Sequence, residues 1–270
     1  MQETPAIRDL LVAIAIEAAD KISTISTLER KDKVGVGDFV TEADTEAEKV
    51  IVKRLCERFP SCAILSEETE STVSPDNYSD HDLLFVIDPL DGTTNHFFAT
   101  ACGFPLPRAI SIGAFVQGRP EVGIVHDLSQ RRTYSAARGQ GVYAEYEERK
   151  VERLLRPRIG PIGKTMVLTS WAYGDTPKGL IPGWQRIAGR VGTMRLLGSA
   201  ALDLVLASIG GFPYFHNSLK PFDVGAGILF LKEMGMRATN WTGEDFTIWD
   251  KTIVAAPQET FEQFFDLVRE

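Results

Sequence analysis

The sequence predicts a layered α/β or α+β fold in which helices and sheets alternate. Three observations lead to this prediction. Apolar residues recur at helical spacing over 6–20, residues 83–87 form a continuous apolar run, and residues 109–144 show short strand patterns separated by turns. At 270 residues, with 44% hydrophobic and 24% charged side chains, the chain is predicted to form one domain over residues 1–270. The alternative is two sub-domains, 1–150 and 151–270.

The first 150 residues are predicted to contain two helices, two strands and an antiparallel meander. Ile7, Leu10, Leu11 and Ile14 share one helical face, and Pro60 ends the second helix. The predicted helices are 6–20 and 41–59, the strands are 63–65 and 83–87, and the meander strands are 109–117, 121–126, 132–136 and 141–144. Residues 31–37 are predicted to be a loop or hairpin, and residues 69–82 a surface loop.

The remaining residues predict a mixture of helices and a strand. The charged stretch 145–158 is predicted to be a solvated excursion. A strand is expected near 165–169, followed by a helix at 199–209 that ends at Gly210-Gly211 and a helix at 223–234 that ends at Gly235.

Composition excludes several classes of protein. A net charge of −8 argues against a nucleic-acid partner, because such binding uses Lys and Arg to neutralise phosphates. The longest apolar run, 10–16, is too short to cross a bilayer, and the N-terminus shows no secretion pattern. The three cysteines lack metal-ligand spacing, which indicates reduced thiols and a cytoplasmic location.

Carboxylates gather where predicted elements begin or end. They are Asp44, Glu67, Asp88, Asp91 and Asp223. Open sheets place ligand sites at the carboxyl ends of their strands. Several carboxylates that converge without Lys or Arg repel one another unless they are protonated or bind cations, and oxygen ligands suit Mg²⁺, Mn²⁺ or Ca²⁺.

The most informative segment is 88–95, with the sequence DPLDGTTN. Its two carboxylates are three residues apart around a proline, so they can point to one place together with the Leu90 carbonyl. Gly92 allows the backbone to approach a ligand, and Thr93 and Thr94 begin a predicted helix, whose N-terminus favours phosphate. Metal ligands beside an anion site indicate metal-assisted phosphoryl transfer.

Each of these residues also has a purely structural alternative. Residues 41–44 fit a helix capping box, and Glu67 with Glu68 could be a solvated pair. Asp223 could cap its own helix, and Asp88 with Pro89 could form a turn and nothing more.

Four segments in this order resemble the inositol monophosphatase family, which belongs to a wider superfamily of magnesium-dependent, lithium-sensitive phosphatases. The segments are GDFVTEAD at 37–44, SEE at 66–68, DPLDGTTN at 88–95 and KPFDVGAG at 220–227. The last is the loosest match, because Phe222 and Gly225 stand where the family usually has tryptophan and alanine. The resemblance covers nearly the whole chain and implies the family's αβαβα layering and a homodimer.

The resemblance implies two or three Mg²⁺ ions, with Mn²⁺ as an alternative. Glu67, Asp88 and the Leu90 carbonyl would hold the first ion. Asp88, Asp91 and Asp223 would hold the second. Glu67 with waters could hold a weaker third, which Lys33 could help to place.

The resemblance also implies catalytic and substrate-binding roles. Thr93, oriented by Asp44, would activate the attacking water together with Glu67, without a covalent intermediate. The phosphate would bind at Gly92, Thr93 and Thr94, and the substrate alcohol would meet Gly198, Ser199 and Ala200.

Some residues depart from the family pattern, and these departures bear on the substrate. His216 stands seven residues before Asp223, where the inositol enzymes carry a glutamate that meets substrate hydroxyls. The segment between Asn95 and Ser111 also has extra residues.

The leading hypothesis is a Mg²⁺-dependent phosphomonoesterase of a small phosphorylated polyol or sugar, with inositol 1-phosphate as the default. The alternatives are histidinol phosphate, fructose 1,6-bisphosphate or adenosine 3′,5′-bisphosphate as substrate, or a non-catalytic regulator that binds metal or phosphate. A haloacid-type phosphatase is disfavoured, because its D-x-D motif is missing.

Overall fold

The structure is a computed structural model that describes residues 4–33, 39–146, 151–170 and 180–269. Helices and sheets alternate in layers, as the sequence predicts. Gly37 and Asp38 of the first family-like segment lie outside the described residues. No described helix has the length and apolar character needed to cross a membrane.

The N-terminal part alternates helices with short strands. Its elements are α1 (Thr4–Ser23), β1 (Arg30–Asp32), β2 (Phe39–Thr41), α2 (Glu42–Arg58), β3 (Ala63–Ser66), β4 (Leu84–Asp91) and α3 (Thr93–Cys102). β1 includes the first two residues of the predicted loop or hairpin and pairs antiparallel with β2, and residues 34–37 of that prediction lie outside the described residues. β4 continues beyond the predicted end at residue 87, because a register shift between Asp88 and Asp91 lets pairing with the next strand resume at Asp91.

The predicted meander is confirmed and forms most of a seven-stranded sheet. Its strands are β5 (Ala109–Val116), β6 (Arg119–Asp127), β7 (Arg132–Ala137), β8 (Gly141–Glu145) and β9 (Val151–Leu154). The strand order is β3-β4-β5-β6-β7-β8-β9, with only β3 and β4 parallel. The prediction for 145–158 is partly wrong, since β9 lies within it. β9 is an exposed edge strand, where charged side chains are common and hide the strand pattern.

The C-terminal part builds a five-stranded sheet in the order β11-β10-β12-β14-β13. Its strands are β10 (Met166–Thr169), β11 (Thr193–Leu196), β12 (Tyr214–His216), β13 (Met236–Thr239) and β14 (Ile253–Pro257). Its helices are α4 (Leu180–Ile187), α5 (Ala200–Gly210), α6 (Pro221–Val224), α7 (Gly227–Glu233) and α8 (Phe261–Arg269). The predicted strand near 165–169 and helix at 199–209 are confirmed.

The single helix predicted at 223–234 is wrong, because the structure divides it into α6 and α7 at Gly225. The backbone of this turn lies directly on the seven-stranded sheet. A Cβ on Gly113 would lie 2.4 Å from the Gly225 carbonyl oxygen, and one on Gly225 would lie 2.6 Å from Cγ1 of Val86. This close approach brings Asp223 to the end of β4.

The seven-stranded sheet is covered on both faces. Ile124 belongs to the core formed with α1 and α2, whereas its neighbour Val125 belongs to the core formed with α5 and α7. Successive residues of a strand point to opposite faces, so one strand supplies both layers. This packing fixes β4 between two helical layers, with its C-terminal end at the candidate site.

Candidate active site

Three carboxylates meet where β4 ends beside α6. Asp88, Asp91 and Asp223 each offer an oxygen, and these oxygens all lie within 4.8 Å of one another. In the ranges that the structure describes, no other set of three acidic, histidine or cysteine side chains has this geometry. The structure therefore brings together the three residues that the sequence predicts for the second cation.

The backbone holds each of these carboxylates in place. Asp91 accepts hydrogen bonds from the Ala201 amide at 2.8 Å, from the Ala200 amide at 3.2 Å and from the Ser199 hydroxyl. Asp88 accepts from the Leu90 amide at 3.1 Å, and Asp223 accepts from the Lys220 amide at 2.6 Å. Asp223 thus also has the capping role that was its structural alternative.

Burial and mutual repulsion raise the pKa of all three carboxyl groups. Asp88 is 2% exposed, and burial and the charges of Glu67, Asp91 and Asp223 raise its pKa well above the usual range. Burial raises the pKa of Asp91 to about 6 against the effect of its hydrogen bonds. The pKa of Asp223 is also raised, by desolvation and by the charges of Asp91 and Glu67. A bound cation would relieve this repulsion, so the donor set fits Mg²⁺ or Mn²⁺.

Glu67 lies beside this cluster rather than within it. Its charge acts on Asp88 and Asp223, but its carboxylate accepts a hydrogen bond from Lys33 at 2.8 Å. Lys33 also donates to Glu68 at 2.7 Å, and burial raises the pKa of Glu68 to about 7 despite that bond. Burial acts to lower the pKa of Lys33, but the two glutamates outweigh it and raise the pKa. Lys33 thus supplies the positive charge nearest to Glu67.

Thr93, the first residue of α3, is joined to Asp44 of α2. Its hydroxyl donates to Oδ1 of Asp44 at 2.8 Å and lies 3.2 Å from the Leu90 carbonyl oxygen. Asp44 is fully buried, and its Oδ2 accepts from the Thr41 amide at 2.9 Å and the Thr41 hydroxyl at 2.5 Å. Burial raises the pKa of Asp44, while these bonds oppose the rise. Both sequence interpretations therefore hold, since Asp44 caps α2 and also positions Thr93.

Gly92 and the first turn of α3 are the residues that the sequence predicts for phosphate. Gly92 precedes the helix with a φ of 87°, and Thr93 and Thr94 form its first turn. A Cβ on Gly92 would lie 2.9 Å from the Gly198 carbonyl oxygen, so the predicted substrate segment 198–200 reaches this turn. Free amide groups at a helix N-terminus bind phosphate well.

The structure does not bring His216 into the carboxylate cluster. His216 is 6% exposed and its ring stacks on Tyr214, with 6.2 Å between the ring centroids. Burial lowers its pKa to about 4, and its Nδ1 has no hydrogen-bond partner in the described chain. Its predicted contact with substrate stays a prediction.

Sequence reasoning missed the structural roles of two residues that build the site. Ser199 was predicted to meet the substrate, but its hydroxyl donates to Asp91 and its position caps α5. The amide of Asn95 donates to the carbonyl oxygens of Pro107 at 2.6 Å and Leu197 at 2.7 Å, which ties α3 to the second half of the chain. A serine before a helix is a sequence signal for a cap, but no signal indicates which carboxylate it binds.

Fold and site together define a layered helix-and-sheet protein with an acidic cluster that could hold a cation beside the N-terminus of α3. The family model described as "Inositol monophosphatase family" matches residues 4–270. The chain belongs to the inositol monophosphatase family.

Relatives in this family carry two kinds of name. The chain is 32% identical to "Nus factor SuhB" of Salmonella typhimurium, over 91% of this chain and 90% of that protein. It is also 32% identical to "Inositol-1-monophosphatase" of Synechocystis, over 76% of this chain and 68% of that protein. The crystal structure of extragenic suppressor protein suhB from Bartonella henselae superposes with a TM-score of 0.85 at 25% identity, covering 98% of this chain and 99% of that one.

Proposed function

We propose that this protein is a Mg²⁺-dependent phosphomonoesterase that acts on a small phosphorylated polyol or sugar. The observation that carries the proposal is the meeting of Asp88, Asp91 and Asp223 beside the N-terminus of α3. A cluster of carboxylates alone would repel a phosphate. Combined with divalent cations, it becomes a site for one.

Asp88, Asp91 and Asp223 would hold one ion. Asp88, the Leu90 carbonyl and Glu67 would hold another. To bind this ion, Glu67 would have to release its hydrogen bond with Lys33. When bound, these ions would neutralise the phosphate oxygens, lower the pKa of the attacking water and stabilise the leaving alkoxide.

The chain's own residues would orient the substrate and the water. Gly92, Thr93 and Thr94 would bind the phosphate through the amide groups of the α3 N-terminus. Asp44 accepts the Thr93 proton, so the Thr93 oxygen can accept one from the attacking water. Glu67 would be the second acceptor for that water. In-line attack with these groups needs no protein nucleophile.

The proposed default substrate is inositol 1-phosphate, which the names of relatives such as "Inositol-1-monophosphatase" support. The histidine at 216 replaces an acidic contact in the family pattern, so histidinol phosphate, fructose 1,6-bisphosphate and adenosine 3′,5′-bisphosphate stay alternatives. The homodimer, the cytoplasmic location, the single domain and the exclusion of nucleic acid stay predictions.

Phosphate release from these four substrates, with Mg²⁺ and with EDTA, tests the proposal. Asp91→Asn is expected to remove most of the activity while the protein stays folded, because it takes away a charge from the cation site. Thr27→Val is the control, since the Thr27 hydroxyl donates at 2.8 Å to Glu42, an exposed residue outside the carboxylate cluster. Full activity of a folded Asp91→Asn protein would contradict the proposal.

A second candidate is a non-catalytic regulator that binds metal or phosphate. The relatives named "Nus factor SuhB" favour it, because that name describes a factor rather than a reaction. A folded protein that binds Mg²⁺ but releases no phosphate from any of the four substrates would favour this candidate.

A further inference from the structure

A cavity of about 1130 Å³ lies between α1, α3 and the β6–β9 part of the seven-stranded sheet. α1 lines it with apolar residues such as Val12, Ile16 and Ile22, and α3 lines it with His96 and Thr100. None of the carboxylates or hydroxyls of the candidate active site lines this cavity. Its volume is slightly above the roughly 300–1,000 Å³ that is typical of sites for small organic molecules.

Arg108 brings a positive charge to this cavity without a matching carboxylate. Its side chain is half-buried and donates to the Leu106 carbonyl oxygen at 2.8 Å. In the described part of the chain, no acidic side chain lies within ion-pair distance of it. The charge of Asp127 acts on it and opposes the effect of burial, but Oδ1 of Asp127 already accepts from Ser129. Burial lowers the pKa of the Arg108 guanidinium, which reflects the cost of a partly desolvated charge.

Two buried histidines line the same cavity. His96 is 8% exposed and His126 is 6% exposed. Burial, helped by the Arg108 charge at His96, lowers the pKa of each to about 4, so both are neutral at neutral pH. Nδ1 of His126 pairs with the Thr133 hydroxyl at 2.8 Å, whereas the buried Nδ1 of His96 has no hydrogen-bond partner among the described residues. The His96 ring therefore has a nitrogen that can serve a ligand.

The acidic residues of the cavity lie nearer to solvent. Asp9 and Asp20 are exposed, and Asp9 accepts from Arg8 at 2.8 Å. Glu145 is half-buried, and the Arg8 charge acts on it too. Asp9 and Glu145 thus lie with Arg8, whereas the exposed Asp20 acts on His126. Arg108 and His96 remain as donors on the inner side of the cavity.

We propose that this cavity is a second binding site, for a small organic anion whose phosphate or carboxylate group pairs with Arg108 beside His96 and His126. The apolar body of the ligand lies along Val12 and Ile16 of α1. A half-buried guanidinium without an ion-pair partner gains from a ligand that supplies both the charge and two acceptor oxygens.

Calorimetric titration of the full chain in EDTA tests this proposal. The probes are phenylphosphonate and benzoate, which share a ring but differ in the anionic group, with benzyl alcohol as the neutral analogue. EDTA removes cations from the candidate active site, and Asp91→Asn checks that binding does not occur there. We expect saturable one-to-one binding of at least one anion, and weaker binding of benzyl alcohol.

Two variants locate the binding. Arg108→Gln should weaken binding by roughly tenfold or more, because it removes a charged hydrogen-bond donor. Ala13→Trp should abolish binding, because it fills the cavity from an exposed position of α1 and remains informative if Arg108→Gln does not fold. Arg119→Gln, an exposed arginine of β6 outside the cavity, is the matched control and should bind as wild type.

Three results would overturn the proposal. The first is that neither anion binds saturably. The second is that a folded Arg108→Gln or Ala13→Trp protein binds as wild type. The third is that Asp91→Asn abolishes binding, which would place the anion in the candidate active site.

Discussion

Replacing Thr93 with valine tests the link between α2 and α3 on which the proposed chemistry depends. The Thr93 hydroxyl donates to Oδ1 of Asp44 at 2.8 Å, and Asp44 is fully buried. Valine keeps the shape of the side chain but leaves that oxygen without this donor. Thr41 still donates to the other oxygen of Asp44, so one of three hydrogen bonds is lost.

The expected cost follows from this count. A hydrogen bond to a charged group contributes about 1.5–3 kcal/mol, so the free energy of unfolding should fall by about that amount. For a chain of this size the melting temperature should fall by roughly 3–10 °C. Loss of proton transfer from the attacking water should lower kcat by roughly 100-fold or more.

Thr93→Ser is the matched control, because it keeps the hydroxyl and removes only a methyl group. We expect it to keep kcat close to that of wild type. The assays are phosphate release with Mg²⁺ and thermal unfolding followed by circular dichroism. If folded Thr93→Val turned over as fast as Thr93→Ser, the role assigned to the hydroxyl would be wrong.

Three further predictions concern cation binding, pH and the backbone. Mg²⁺ at about 100 times its Kd should stabilise the protein against unfolding by about 2.7 kcal/mol relative to EDTA, and calorimetry should show no such gain in Asp88→Asn. Burial lowers the pKa of His126 from its ordinary value of 6.5 to about 4 in the folded protein, so the unfolded chain takes up this proton first as the pH falls. The free energy of unfolding therefore decreases as the pH falls from 6.5 to about 4. His126→Gln should therefore reduce the slope of stability against pH by up to about 1.4 kcal/mol per unit in urea titrations, and an unchanged slope would contradict this assignment. Gly92→Ala should lower the free energy of unfolding more than Gly103→Ala in the same urea assay. Both glycines have positive φ, but only at Gly92 would the new Cβ lie against carbonyl oxygens. Equal losses would refute the close approach to Gly198.

Local patterns predicted much of the fold because they depend on neighbours in the chain. Helices α1 and α2 show the spacing of one buried face, and α5 and the meander strands are apolar segments bounded by turn residues. Adjacent residues determine both kinds of pattern. β9 and β12 were missed for a different reason. β9 is a charged edge strand, and β12 has only three residues, so partners in the sheet define both more than their own sequences do.

The sequence by itself determined which residues could carry the chemistry. The spacing of Asp88 and Asp91 around Pro89, and Gly92 before Thr93, are local features that one turn of backbone brings together. Their resemblance to a family pattern also placed Asp44 and Asp223 in the same site.

Only the tertiary structure decided how these residues meet. Asp223 lies 132 residues after Asp91 in the chain, and it reaches Asp91 because the turn at Gly225 lies against the sheet. Lys33 binds Glu67, and Ser199 binds Asp91, through contacts that span 34 and 108 residues. Such contacts form when the layers pack against each other. No local sequence pattern predicts them, because burial and the distance between remote residues are properties of the whole fold.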